Sequence, residues 1–226
     1  IVQGMKLSAE QLGCAGDYVI FNADGSEAKM CGNGIRCVGK YVYDKGYTNK
    51  LHLRIETLSG IRTLNLQVTD GKVDNVTVDM GKAAVQEDMR LLVDGAEAVC
   101  TPVTVGNPHA VLFVNDIDKV PLTTLGPKLE RHTAFPDGVN VEFVQVLGNN
   151  ALRMRVWERG SGVTMACGTG ACSSVMAAIS KNYCCYDAPV AVHLDGGTLV
   201  IRIASDNTVT MTGPAEIVYE GETKLC

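Results

Sequence analysis

Apolar and polar residues alternate along most of this chain, the period-two pattern of strands with one buried face. Leu64, Leu66 and Val68 lead up to Asp70-Gly71, and Val73, Val76 and Val78 continue beyond it. That spacing predicts a hairpin. Leu152, Met154 and Val156 alternate again after Gly148-Asn149-Asn150. Val190 to Val192, Leu199 to Ile203 and Val209 to Met211 supply further strands, separated by Gly196-Gly197 and Asp206-Asn207. Only two segments carry a clear helical pattern. The first runs from about Asn33 to Asp44, with Gly46 as its stop. The second runs from about Thr169 to Lys181, where Val175, Ala178 and Ile179 form one apolar face. Ala171, Ser174 and Ala177 are small enough to let surrounding strands approach closely. The expected fold is α+β, mostly sheet with one principal helix in each half. A change of pattern near Met80-Gly81 divides the halves.

Composition narrows the function. With 226 residues, 46% hydrophobic and 20% charged, the chain can bury a substantial core and has no disordered character. A net charge of -5 and the lack of basic runs argue against nucleic acid. No apolar stretch is long enough for a membrane span, and Ile1-Val2-Gln3-Gly4 has no signal-peptide character, so a cytoplasmic protein is expected. Nine cysteines, an odd number with Cys184 and Cys185 adjacent, fit a disulfide scaffold poorly. Without Cys-x-x-Cys or clustered histidines no metal site is expected. Most of the cysteines read as small buried apolar residues.

Two cysteines differ from the rest. Met30-Cys31-Gly32-Asn33-Gly34 and Ala166-Cys167-Gly168-Thr169-Gly170 each set a cysteine before a glycine turn that opens a predicted helix. The positive end of each helix dipole faces the thiol and any nearby anion. That effect reaches about 2 kcal/mol, enough to bring a thiol from ~8.5 towards neutrality. Two such thiols around one substrate share one proton, because like charges at close range do not both form. A thiolate on one face of a carbon and a thiol on the other can invert that carbon. The repeat predicts two pseudo-symmetric lobes, 1–80 with 211–226 and 81–210, each mostly antiparallel sheet wrapped around a principal helix, with the active site in the cleft between them. The plain alternative is two buried cysteines in glycine turns.

The chain resembles diaminopimelate epimerase. The likeness runs from Phe21-Asn22-Ala23-Asp24-Gly25-Ser26-Glu27 through the first cysteine turn, Gly106-Asn107-Pro108-His109, Gly138-Val139-Asn140-Val141 and Trp157-Glu158-Arg159-Gly160 to the second turn. The related proline racemases typically carry histidine where Asn33 stands. The resemblance implies epimerisation of LL-2,6-diaminopimelate to the meso form, in lysine and peptidoglycan precursor synthesis, without pyridoxal phosphate or other cofactor. It implies that Cys31 and Cys167 are catalytic and that Gly32, Asn33, Gly168 and Thr169 hold the carboxylate at the reacting end. Asn22, Asn107, Asn140 and Arg159 would grip the distal end, with Glu158 on amino groups. Amides donate and accept, and arginine forks onto a carboxylate, which suits that division. The expected partner is a small amino-acid substrate, with no nucleic acid or membrane, and a homodimer is compatible with this reading.

Each residue also has a structural reading. Asn22 and Asn140 lie beside turn signals, His109 could orient a loop, and Glu158 with Arg159 could form an ion pair. The likeness weakens near the beginning, where the family has a strand, a Gly-x-Gly-Asn-Asp-aromatic-Val turn and a stretch containing Asp-Arg-His. Gly13-Cys14-Ala15-Gly16-Asp17-Tyr18-Val19 matches that turn only in part, with Gly16 where asparagine is expected, so an N-terminally incomplete or divergent member is expected. Competing functions are a racemase of another amino acid such as proline or hydroxyproline, and a ligand-binding remnant of the scaffold without catalysis.

Overall fold

The computed structural model describes residues 2–6, 17–21, 30–148 and 150–218. Two strands, β1 (Val2–Lys6) and β2 (Asp17–Phe21), pair antiparallel with each other. Helix α1 (Gly32–Asp44) follows, then β3 (His52–Thr57), β4 (Gly60–Thr69) and β5 (Lys72–Lys82). Strands β6 (Ala84–Val85), β7 (Met89–Val93), β8 (Ala96–Thr104) and β9 (Pro108–Phe113) lead to helix α2 (Leu122–Glu130). Next come β10 (Asn140–Gly148), β11 (Ala151–Glu158), β12 (Gly162–Thr164) and helix α3 (Gly168–Ser180). The last three strands are β13 (Val190–Leu194), β14 (Gly197–Ile203) and β15 (Thr208–Pro214).

The expected α+β architecture holds, and the predicted strands form where the alternation placed them. The hairpin of β4 and β5 turns at Asp70 and Gly71, whose φ values of 52° and 77° suit a tight hairpin turn. A single sheet path runs β3-β4-β5-β15-β14-β13-β11-β10-β9-β8-β6, with β12 alongside β11 and β7 alongside β8. Most pairings are antiparallel; β9 with β10 and β11 with β13 are parallel. Each parallel pair needs a crossover, and those crossovers contain α2 and α3. Met80-Gly81 lies inside β5, where Gly81 takes φ 85° beside a bulge against β15.

Helix α3 is buried on nearly every side, including Ala171, Ser174, Val175, Ala177 and Ala178. A helix apolar all round has no solvent face to present, so strands wrap it. Helix α1 buries one side, and a side chain at Gly39 would meet Leu64 at 2.9 Å. Both helices belong to one apolar core that runs from Ile35 to Met211. A second core lies between α2 and strands β7 to β10, around Leu129, Val141 and Phe143. The pattern did not predict α2, a correction to the reading of two helices. Gly126 and Pro127 lie inside it and Pro121 at its N-cap supplies no side-chain cap, so local signals point away from a helix. Its burial against β11 overrides them.

Candidate active site

Both cysteines cap helices, and the two caps match. Cys31 precedes α1 at φ -130°, ψ 116°, and its Sγ accepts the Gly34 N–H at 3.4 Å. Cys167 precedes α3 at φ -126°, ψ 112°, and its Sγ accepts the Gly170 N–H at 3.3 Å. Each helix has 13 residues, and the match continues past the C-termini. Tyr47 N–H donates to Val42 as Tyr183 N–H does to Ala178, after Gly46 and Asn182 in the left-handed region. In each first turn the leading N–H groups, on Gly32 and Asn33 or Gly168 and Thr169, lack intrahelical acceptors and point where an anion can bind.

The two helix starts meet. Side chains at Gly32 and Gly168 would each collide with Met211, at 2.8 Å and 3.0 Å, so the bare backbones rest on one thioether. Asn33 spans the junction: its Nδ2 donates to the Ala166 carbonyl at 3.3 Å. Its Oδ1 accepts from Arg36 Nη1 at 3.1 Å, and the same guanidinium donates to the Gly32 and Pro214 carbonyls. The Asn33 side chain therefore ties the helices together, and its backbone N–H remains for an anion. Arg36 is a buried cation that the sequence reading missed.

Around Cys167 lie two carboxylates. Glu158, at the end of β11, accepts from Thr164 Oγ1 and lies close enough to the Cys167 thiol for its charge to act on it. Burial raises its pKa, with the Glu142 charge adding to the rise. Burial, then the Glu158 and Glu142 charges, hold the Cys167 thiol well above its usual range. Thr169 and the Gly170 N–H pull the other way without prevailing. This corrects the expectation that the helix N-terminus brings this thiol towards neutrality: at Cys167, desolvation and like charge outweigh the dipole. In the free protein Cys167 holds its proton.

The remaining predicted residues gather at the ends of β9, β10 and β11. Asn140 opens β10 opposite His109 of β9. Its Nδ2 donates to the Pro108 carbonyl at 3.1 Å, and its Oδ1 accepts the Arg159 N–H at 2.9 Å. Asn140 thus fixes the loop that carries Arg159. The Arg159 guanidinium is exposed and donates to the Asp137 carbonyl at 3.0 Å. Asn107 Oδ1 lies 3.0 Å from His109 Nε2, and His109 is itself buried. Glu158 turns to Thr164 and Cys167 rather than forming the alternative ion pair with Arg159. Asn22 lies outside the described residues, as does Gly13 to Gly16. Glu130 was not foreseen: it accepts from Trp157 Nε1 at 2.7 Å and from the Gly160 N–H, so α2 braces the Arg159 loop.

Residues 5–86 and 101–218 match the family model for diaminopimelate epimerase. The chain belongs to the diaminopimelate epimerase family. It is 48% identical over 217 residues to the diaminopimelate epimerase of Bacillus licheniformis, covering 90% of this chain and 76% of that one. To the diaminopimelate epimerase of Phocaeicola vulgatus it is 50% identical over 219 residues, covering 91% and 78%. Among solved structures, a probable proline racemase from Agrobacterium radiobacter superposes with a TM-score of 0.73 at 15% identity. That match covers 96% of this chain and 76% of the racemase, and shows a shared fold. Diaminopimelate epimerases are isomerases that act without pyridoxal phosphate, and this chain is an enzyme of that kind. No helix among its described residues is long and apolar enough to cross a membrane.

Proposed function

We propose that this chain interconverts LL-2,6-diaminopimelate and its meso form with Cys31 and Cys167 as a two-thiol acid–base pair. The observation that carries the reading is the meeting of two matched thiol-capped helix starts over Met211. In one direction the Cys31 thiolate takes the α-proton. The electron pair left on carbon then takes the proton of the Cys167 thiol from the opposite face. One C–H bond breaks, another forms, and the two thiols exchange states. The return reaction runs with the roles reversed.

A thiolate is a weak base for an α-proton, so positioning and stabilisation of the developing charge must supply the rest. The N–H groups of Gly32, Asn33, Gly168 and Thr169 suit the α-carboxylate of the reacting end. Asn22, Asn107, Asn140 and Arg159 are assigned to the distal amino-acid end, whose carboxylate matches the arginine fork. Glu158 sits beside the Cys167 thiol, so it serves the thiol as well as a substrate amino group. Pairing of β15 with β5 supports grouping 211–226 with 1–80 as one lobe and 81–210 as the other, the substrate lying between them. A role in lysine and peptidoglycan precursor synthesis follows from that substrate. A reducing cytoplasm suits two thiols that must stay unpaired.

The racemase-like fold favours one second reading, turnover of a proline-like amino acid. Such a substrate has no distal carboxylate for Arg159. Deuterium incorporation at the α-carbon, in heavy water with reduced protein, separates the readings when diaminopimelate and proline are run in parallel. We expect exchange on diaminopimelate alone, abolished in Cys31→Ala and in Cys167→Ala while both variants stay folded. Near-normal exchange by either variant would sink the two-thiol mechanism. Exchange on proline instead would move the chain to the second reading, and silence on both from folded protein would make it a scaffold without catalysis.

A further inference from the structure

Glu142 is a fully buried carboxylate that the mechanism above does not use. It lies in β10, within a stretch from Asn140 to Val144 that is buried at every residue. A charge in such a strand is stable only if something answers it. Glu142 Oε1 is 2.7 Å from His109 Nδ1, and both side chains are 0% exposed. Its Oε2 has no hydrogen-bond partner among the described residues. The carboxylate also sits against the first turn of α3: a Cβ at Gly170 would stand 2.8 Å from Oε1 and 3.2 Å from Cys167 Sγ. Glycine at 170 leaves the carboxylate room at the helix start. The positive end of α3 then adds its support to the carboxylate. Oxygen and sulfur flank that one point, so they lie within roughly 6 Å, where like charges oppose each other's ionisation.

We propose that Glu142 is a positioning residue: its carboxylate holds a proton on His109 Nδ1, and its charge behind α3 keeps the proton of the thiol pair on Cys167. The first half follows from geometry. A carboxylate accepts and cannot donate, so His109 must present an N–H to it. The His109 tautomer is thereby fixed, and Nε2 faces Asn107. The second half rests on the two-thiol reading above. The groups facing Cys167 are Glu158 from β11, Glu142 from β10 with His109 behind it on β9, and Thr169 Oγ1 with the Gly170 N–H from α3. Arg36 lies towards Cys31 and Cys172 instead. Two carboxylates against one thiol, with no lysine or arginine against it among the described residues, make Cys167 the proton donor of the resting enzyme.

Neither test uses turnover, so this inference and the epimerase reading can fail separately. The first uses histidine labelled with nitrogen-15 in the unmodified, reduced chain. Four histidines are present, and His109 is assigned by loss of its signals in His109→Gln. Nδ1 of His109 should carry a proton across pH 6.5 to 8.5 (roughly the ordinary histidine range and above). A bare Nδ1 over that range overturns the proposal without any variant at Glu142. The second measures alkylation of Cys167 by iodoacetamide against pH, read from the Cys167 peptide. Glu142→Gln keeps size and an acceptor for His109 and removes only the charge. It should lower the pH midpoint and speed alkylation near neutrality about tenfold, the response to one like charge removed at this range. An unchanged midpoint in folded Glu142→Gln, with or without a loss of stability, means the residue only packs.

Discussion

Glu158 and Cys167 define what a single residue can and cannot do here. A buried thiol against a buried carboxylate yields neither a strong base nor a strong acid; it yields a proton held for delivery. Glu158 accepts from Thr164 beside the thiol, so replacing it by an amide leaves size and hydrogen-bonding capacity but removes the charge. Glu158→Gln should lower the rate of α-proton exchange by about 10²–10⁴-fold, the usual scale for a group that assists proton transfer. Because burial raises the Glu158 pKa, the acid limb of the exchange profile should lie above the ordinary glutamate range in the parent and disappear in the variant. Exchange by Glu158→Gln at the parent rate would remove Glu158 from the proton path. The two cysteines were legible in sequence because each carries its own turn and helix start. Glu142 was not, although a lone acid inside Val139 to Val146 was a signal: a charge in an otherwise apolar strand needs a partner.

At the scale of elements, α1 and α3 were readable and α2 was not, for opposite reasons. The first two begin at cysteine caps with glycines behind them, and their apolar spacing agrees with those caps. Helix α2 has proline at its N-cap and Gly126-Pro127 within, and forms because β11 offers it a surface. Gly126 shows how tight that seat is: a Cβ there would stand 2.7 Å from both Cβ and Cγ of Trp157. The indole cannot turn aside without breaking its bond to Glu130. Gly126→Ala gains about 1 kcal/mol in helix propensity but meets an overpacking cost of about 1–3 kcal/mol. The clash should win, and urea unfolding should show a net loss. A variant as stable as the parent would mean that α2 slides freely on β11.

For the whole molecule, buried thiols tie stability to pH. Burial pushes Cys172 up to about 12 and Cys100 up to about 11, against 9.0 for an ordinary thiol. A raised pKa means the folded chain keeps a proton that the unfolded chain releases. Its contribution is complete below pH 9 and is lost as the pH climbs through the folded values. Stability should therefore fall between pH 9 and 11, and Cys172→Ala should flatten that slope without much effect at pH 7. Parallel unfolding curves for parent and variant across this range would show that Cys172 carries no such linkage. The α+β class and most strands were visible in the alternation, since one buried face imposes it. The join was not: the path from β5 to β15 depends on partners more than a hundred residues apart.

Met211 gives that long-range join its consequence. Two bare helix starts, each capped by a cysteine, rest on the same unbranched thioether. Methionine has three soft torsions and a polarizable sulfur, so it conforms to its neighbours where leucine or isoleucine would dictate to them. The junction of the two cysteine-capped helices is thus cushioned by a compliant seat. Two rigid helices can adjust to a guest by small slips over one side chain, with no rearrangement of the sheet that carries them.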